Sequence, residues 1–531
     1  MGNLDSAARH RRLLLVASVL LAPRFAVFAQ RATDSPTSRG PIVRTMDGSV
    51  QGITLTTGVR AFRGIPFASP PVRELRWRPP QPASHWQGVR RADRFANQCM
   101  QARVFSDMMF RNSGVSEDCL YLNVWMPPNA RQGSALPVLV YFFGGGFVAG
   151  DGSEFRYDGE SMARRGIVVV TTSYRLGIFG FFAHPELSAE SPQHASGNYG
   201  LMDQTAALRW VRANITAFGG DPRRVTIAGE SAGSMSVSAQ MASPLAQGLF
   251  ARAIGESGAL FSSSGPMASR AQMEQNGLRF AESVGASSLA ALRELSATEL
   301  LEMASRQGAP RFVTDVDGYF FPQAPAEIFA AGRQARVPLL AGWNSEESSW
   351  RALTPQPTTD SARAVLARVF GERADEAARY YPVRDSAEAM QSLTDLASDR
   401  FIAYSTWKWL DLQATISGQP VYRYFYGRPR PGAHGAAHSA EIEYAMGNLA
   451  TNKVYAWTPD DEKVSALMQS YFANFIMTGD PNGSGLPVWP VGSVDANGGA
   501  QRLRIDVDTR AEPEPRARYR FLDRVFASSR K

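Results

Sequence analysis

The sequence predicts an α/β protein built on a central, mostly parallel β-sheet with helices on both faces. Continuous apolar, β-branched runs recur at residues 138–143, 167–172 and 225–228, as expected of strands buried on both faces. A helical stretch at 201–218 lies between the second and third, with Leu208, Val211 and Ile215 on one stripe. Alternating strand and helix signals define the class. At 531 residues and 44% hydrophobic content, the chain can bury a large core. It reads as a signal peptide at 1–29 followed by one catalytic domain at 30–531.

At the N-terminus Arg9, His10, Arg11 and Arg12 precede an apolar run at 13–22, and a small-residue site follows at Val27-Phe28-Ala29. This is the pattern of a secretory signal cleaved near Ala29. The run is too short to span a bilayer, and no later segment reads as a transmembrane helix. The expected location is secreted or periplasmic. Residues 30–41 read as a short polar lead-in. Segments 48–53 and 59–65 alternate and end in Gly or Pro, which fits antiparallel edge strands. Later sheet strands are expected at 337–341 and 421–425. Segments 262–320 and 360–410 read as helical insertions over the active-site end of the sheet. Asp315 and Asp317 look like turn residues.

The formal net charge is +7, and all but four of the 56 basic residues are Arg. The Arg are scattered, without the clustered basic face that nucleic-acid binding requires. An even Arg bias leaves room for steering of acidic esters. The two cysteines, Cys99 and Cys119, suggest one disulfide in an exported chain. Closing a loop of this length stabilises by roughly 3 kcal/mol.

One Gly-x-Ser-x-Gly stands at Gly229-Glu230-Ser231-Ala232-Gly233, after a buried strand and before a helical stretch at 234–241. A sharp strand-to-helix turn leaves no room for flanking side chains, hence the glycines. It lifts the serine hydroxyl above the sheet of an α/β-hydrolase fold. The N–H of Ala232 is then placed to bind an oxyanion. Ser257, in Gly255-Glu256-Ser257-Gly258, lacks the second glycine and reads as structural.

Gly144-Gly145-Gly146 follows the first buried strand, where bare backbone N–H groups can reach a developing oxyanion. In this fold the acid and the histidine follow the serine. Of the six histidines only His434 and His438 do so. His438 is favoured, because small residues at 435–437 permit a tight turn and Glu441 can cap a following helix. The acid is expected on the loop after 337–342, where Glu346 and Glu347 both qualify.

At these residues the chain resembles the type-B carboxylesterase family, which includes cholinesterases and para-nitrobenzyl esterases. The resemblance runs from about residue 50 to 491. It is carried by Phe62-Arg63-Gly64-Ile65-Pro66-Phe67-Ala68, by Ser116-Glu117-Asp118-Cys119-Leu120-Tyr121-Leu122-Asn123-Val124, by Gly219-Gly220-Asp221-Pro222 and by Thr478-Gly479-Asp480-Pro481-Asn482. It implies Ser231, Glu347 and His438 as catalytic triad and Gly145, Gly146 and Ala232 as oxyanion donors. It pairs Cys119 with Cys99. It implies an acyl-enzyme mechanism without metal or cofactor. Phe143 stands where the family often has His. The loop at 100–118 has Phe105 and Phe110 but no tryptophan to cage a quaternary ammonium, which argues against choline esters.

The expected partner is a small-molecule ester. The alternative from another class is a non-catalytic binding or adhesion protein of the same fold, against which all three triad positions are filled. A lipase would want an apolar lid, for which 262–320 is too polar. Large or acidic esters, such as fumonisin-type mycotoxin esters, are the substrate expectation. The sequence leaves oligomeric state open.

Overall fold

A computed structural model describes residues 40–261 and 267–528. The expected signal peptide, its cleavage site and nearly all of the polar lead-in lie outside the described residues.

The body is an eleven-stranded mixed sheet. Its strands, in chain order, are β1 (Ile53–Thr54), β2 (Arg60–Pro66), β3 (Tyr121–Met126), β4 (Leu136–Phe142), β5 (Val168–Thr172), β6 (Gly220–Glu230), β7 (Arg252–Glu256), β8 (Leu339–Asn344), β9 (Val421–Tyr426), β10 (Gln501–Ile505) and β11 (Arg510–Pro513). They lie side by side as β1-β2-β3-β5-β4-β6-β7-β8-β9-β10-β11. From β5 through β10 every pairing is parallel. The flanking pairs β1–β2, β2–β3, β3–β5 and β10–β11 are antiparallel. Helices cover both faces, so β5 and nearly all of β4 are buried from end to end. Their β-branched sequences follow from that double coverage.

Four strands fall where no strand was read: β3, β7, β10 and β11. β7 has only a short apolar centre, at Ala253 and Ile254, and β10 and β11 alternate with Arg or Glu at the antiparallel margin. The helical stretch at 201–218 is an α-helix from Tyr199 to Asn214, α1, followed by a 3₁₀ turn from Ile215 to Phe218. The helix after the elbow, α2, spans Ala232–Ala242.

Both insertions are helical. The first carries helices at Arg270–Ser283, Leu289–Glu294 and Ala297–Ala304, and the second at Thr359–Phe370, Ser386–Ser398 and Tyr404–Ile416. The first is tied off by a two-residue parallel pair, Ala268–Ser269 with Asp315–Val316. Asp317 does cap a turn, accepting the N–H groups of Tyr319, Phe320 and Phe321. Asp315 does not. It sits in that short strand, fully buried, and neither carboxylate oxygen has a hydrogen-bond partner.

Candidate active site

The parallel register brings the carboxyl ends of five strands together. Phe142 of β4 stands beside Gly229, Glu230 beside Glu256, Glu256 beside Gly342, and Gly342 beside Tyr424. Ligand sites in open α/β sheets form at this edge.

β6 ends at Glu230, and the chain turns at Ser231 with φ +56° and ψ −121° before α2 begins. A left-handed φ on a non-glycine residue is strained and marks functional sites. The turn is held by the Ser231 N–H donating to the Glu256 carbonyl at 2.9 Å and by the Met235 N–H donating to the Ser231 carbonyl at 2.8 Å. The flanking glycines are obligatory. A Cβ on Gly229 would lie 2.5 Å from Gly233 C, and one on Gly233 would lie 2.0 Å from Phe142 O. Strand and helix therefore cross at backbone contact.

His438 comes from the loop after β9 and Glu347 from the loop after β8. His438 Nε2 lies 2.9 Å from Ser231 Oγ, and His438 Nδ1 lies 2.6 Å from Glu347 Oε2. The backbone N–H of Asn344 donates to Glu347 Oε1 at 2.6 Å. Glu347 is buried. Glu346 instead donates its N–H to Ala436 and lays its side chain against Gly435. His434 makes no such contact.

The glycine triplet borders the same space. A Cβ on Gly144 would lie 2.5 Å from Glu230 Oε2, so the triplet abuts the elbow. Gly145 and Gly146 adopt φ of +110° and +64°, and a Cβ on Gly145 would strike Ala149 O at 2.2 Å. Ala232 opens α2, where a helix has no acceptor of its own for the N–H. Phe143 is core: its ring stacks on Tyr174 at 4.2 Å, and its carbonyl accepts the Tyr174 hydroxyl at 2.7 Å.

The disulfide joins Cys99 and Cys119. Within the loop it closes, Gln101 exchanges two 2.8 Å hydrogen bonds with the backbone of Gly150, just beyond the triplet.

The sequence reading missed a layer of carboxylates beneath Ser231 and His438. Glu230 Oε1 lies 3.3 Å from His438 Nε2 and accepts the Ser439 hydroxyl at 2.5 Å. Glu441 takes the Ser257 hydroxyl at 3.0 Å and the Asn344 side-chain amide at 2.6 Å, so Ser257 is structural, as expected. Glu441 stands at the N-cap of the helix Ile442–Met446, as read, but its side chain makes no capping hydrogen bond; burial, with repulsion from Glu230 and Glu347, pushes its carboxyl up to about 8. Burial also holds Glu256 well above the usual carboxylate range. For His438 burial acts downward, but the charges of Glu230 and Glu347 outweigh it and carry the imidazole up to about 9. The position of Glu230 inside the elbow was the one available signal.

Phe401, whose ring meets His438 with centroids 5.0 Å apart, also lines a mostly apolar cavity of about 260 Å³ together with Met235, Leu260, Phe261, Met267 and Val313, among others. Among the described residues no group of His, Cys, Asp and Glu could hold a metal ion, and no helix is long and apolar enough to cross a membrane.

Residues 39–519 match the family model described as the carboxylesterase family. Fumonisin B1 esterase of Sphingopyxis macrogoltabida is 38% identical over 487 residues, covering 86% of this chain and 85% of that protein. Carboxylesterase 5A of Canis lupus familiaris is 36% identical, covering 90% of this chain and 88% of that protein. Among solved structures, a Geobacillus stearothermophilus carboxylesterase superposes with TM-score 0.78 at 33% identity, covering 91% of this chain and 99% of that one. A PNB esterase superposes with TM-score 0.76 at 31% identity, covering 91% and 100%.

Proposed function

The chain belongs to the carboxylesterase family and hydrolyses carboxylic esters, and from that premise we propose that Ser231, His438 and Glu347 carry the reaction. His438 Nε2 takes the proton of Ser231 Oγ as the oxygen attacks the ester carbonyl. The N–H groups of Gly145, Gly146 and Ala232 stabilise the oxyanion. The imidazolium returns the proton to the departing alkoxide, and an alcohol leaves. Water, deprotonated by His438, then releases the acid and frees Ser231. Glu347 holds Nδ1–H, which fixes the tautomer and balances the imidazolium charge. The observation that carries this reading is the unbroken chain Ser231 Oγ–His438–Glu347, with links of 2.9 and 2.6 Å.

The substrate we propose is a large ester with an apolar arm, the acid side free to carry negative charge. The apolar cavity that Phe401 lines supports the first part. The similarity to an esterase of fumonisin B1 supports a bulky ester of that kind. The disulfide supports an exported protein, in keeping with a signal peptide at 1–29.

The test is Ser231→Ala assayed on p-nitrophenyl esters of graded chain length and on fumonisin B1. Activity should vanish while the circular dichroism spectrum is unchanged, and an organophosphate should label Ser231 in the wild type. A folded variant keeping a tenth of the activity, or labelling at Ser257, would refute the assignment.

A further inference from the structure

We propose that the C-terminal helix helps to position the catalytic histidine, through a π-helical turn that Arg518 anchors at Asp399 and that carries Phe401 onto the His438 ring. The proposal rests on His438 being the general base.

Between the helices Ser386–Ser398 and Tyr404–Ile416 the chain makes a π-helical turn at Asp399–Ala403. Such turns are rare and concentrate at functional sites, because the extra residue re-aims the side chains around it. Here one turn reaches the surroundings of all three triad members. Ser398, just before it, accepts the Ser348 N–H at 3.1 Å and donates back to the Ser348 carbonyl at 3.1 Å, and Ser348 follows Glu347. Phe401 meets the His438 ring edge to face, with centroids 5.0 Å apart and planes at 75°. Ile402 packs on Gly258, where an added Cβ would lie 3.1 Å from Ile402 Cδ1 and 2.7 Å from the Ser231 carbonyl oxygen.

Phe401 is 49% exposed. An aromatic ring with that much freedom has to be held against its partner by the backbone. The backbone in turn is fixed from outside the site. Asp399 is fully buried and accepts the Tyr381 hydroxyl at 2.8 Å. Arg518, on the helix Arg516–Ser528, places Nε 2.7 Å from Asp399 Oδ2 and donates Nη2 to Oδ1 at 3.2 Å. Its Nη1 donates to Asp395 at 2.6 Å, one turn earlier on the incoming helix. Arg518 thus grips both the π-turn and the helix entering it. We infer that it is a positioning residue acting through Phe401, and that Phe401, which also lines the apolar cavity, tunes both imidazole orientation and ester choice.

A double-mutant cycle on the full-length enzyme tests this, using Phe401→Ala, Arg518→Gln and the pair, with kcat on p-nitrophenyl acetate and Tm read for each. A displaced catalytic group can cost up to about 10²-fold, so each single variant should lose kcat by tenfold or more. The pair should lose no more than Phe401→Ala alone, and Arg518→Lys should restore part of the loss. Multiplicative losses in the pair, or an Arg518→Gln enzyme with lowered Tm and intact kcat, would overturn the proposal. If Arg518→Gln does not fold, the near-isosteric Asp399→Asn takes its place with the same criteria. His438→Ala run in parallel separates the two failures: activity retained there refutes the base assignment, whereas the cycle refutes only the coupling.

Discussion

Glu347 Oε2 meets His438 Nδ1 at 2.6 Å while Glu347 Oε1 is tied to the Asn344 backbone. Both carboxylate oxygens are engaged, so the imidazole has one orientation open to it. Glu347→Gln should lower kcat by roughly 10⁴-fold, the cost seen when a triad acid loses its charge. Glu346→Gln should cost at most about tenfold, because Glu346 touches Gly435 and not the imidazole. Steady-state kinetics of the two variants check this, and the reverse order would mean that Glu346 is the acid.

The reaction needs neutral imidazole, and His438 is held up to about 9. kcat/KM should therefore climb with pH through a limb above the ordinary histidine value. Glu230 exerts the largest upward pull, so Glu230→Gln should move that limb to lower pH. An unmoved limb would show that Glu230 does not set it. For stability, a histidine raised on folding contributes fully below its unfolded value near 6.5. That contribution fades as pH rises through about 9. Tm of the wild type should fall across this window, and Tm of Glu230→Gln should fall less.

Burial, reinforced by repulsion from Asp317, holds the Asp315 carboxyl well above the usual carboxylate range. A raised carboxyl contributes stability below its unfolded value of about 3.9 and loses it as pH rises through the folded value. Asp315→Asn should therefore raise Tm at pH 8 by roughly 2 °C or more, and the gap should close in acid. Thermal scans at both pH values decide it; a less stable variant at pH 8 would mean that the carboxylate has a partner there.

Replacing Cys99 and Cys119 together with Ser should destabilise by about 3 kcal/mol on loop entropy. It should also lower kcat, because Gln101 clamps the loop to Gly150 beside the glycine triplet. Denaturant unfolding and kinetics measure the two effects separately. Unchanged kcat would show that the triplet keeps its shape without the loop.

Most of the parallel centre of the sheet was legible because double burial writes itself as unbroken β-branched runs; β7, with only Ala253 and Ile254 apolar, was not. The elbow was legible because two glycines at backbone contact leave no substitute. Elimination among the histidines left His434 and His438, and the small residues at 435–437 favoured His438. Glu347 needed the resemblance, since two adjacent glutamates differ only in which way a loop turns. What could not be read was what long-range folding brings together. Nothing local to Glu441 or Ser257 says that they meet, and nothing near Asp399 signals a π-turn or a partner in the last helix. Asp315 misled because it was read with Asp317 as a turn residue, whereas a two-residue strand took it inside.

The proposed triad also says something about when the enzyme becomes active. Its links span 207 and 91 residues of chain, while β4 pairs with β5 across 30 residues (138 to 168) and β6 with β7 across 26 (226 to 252). Ordering a long intervening chain is the slow part of assembling distant contacts. During refolding, secondary structure should return first and hydrolysis last, once β8 and β9 have docked. Esterase activity is thus a clock for the final stage of assembly: a truncated or half-folded chain can display a well-formed elbow and still be silent.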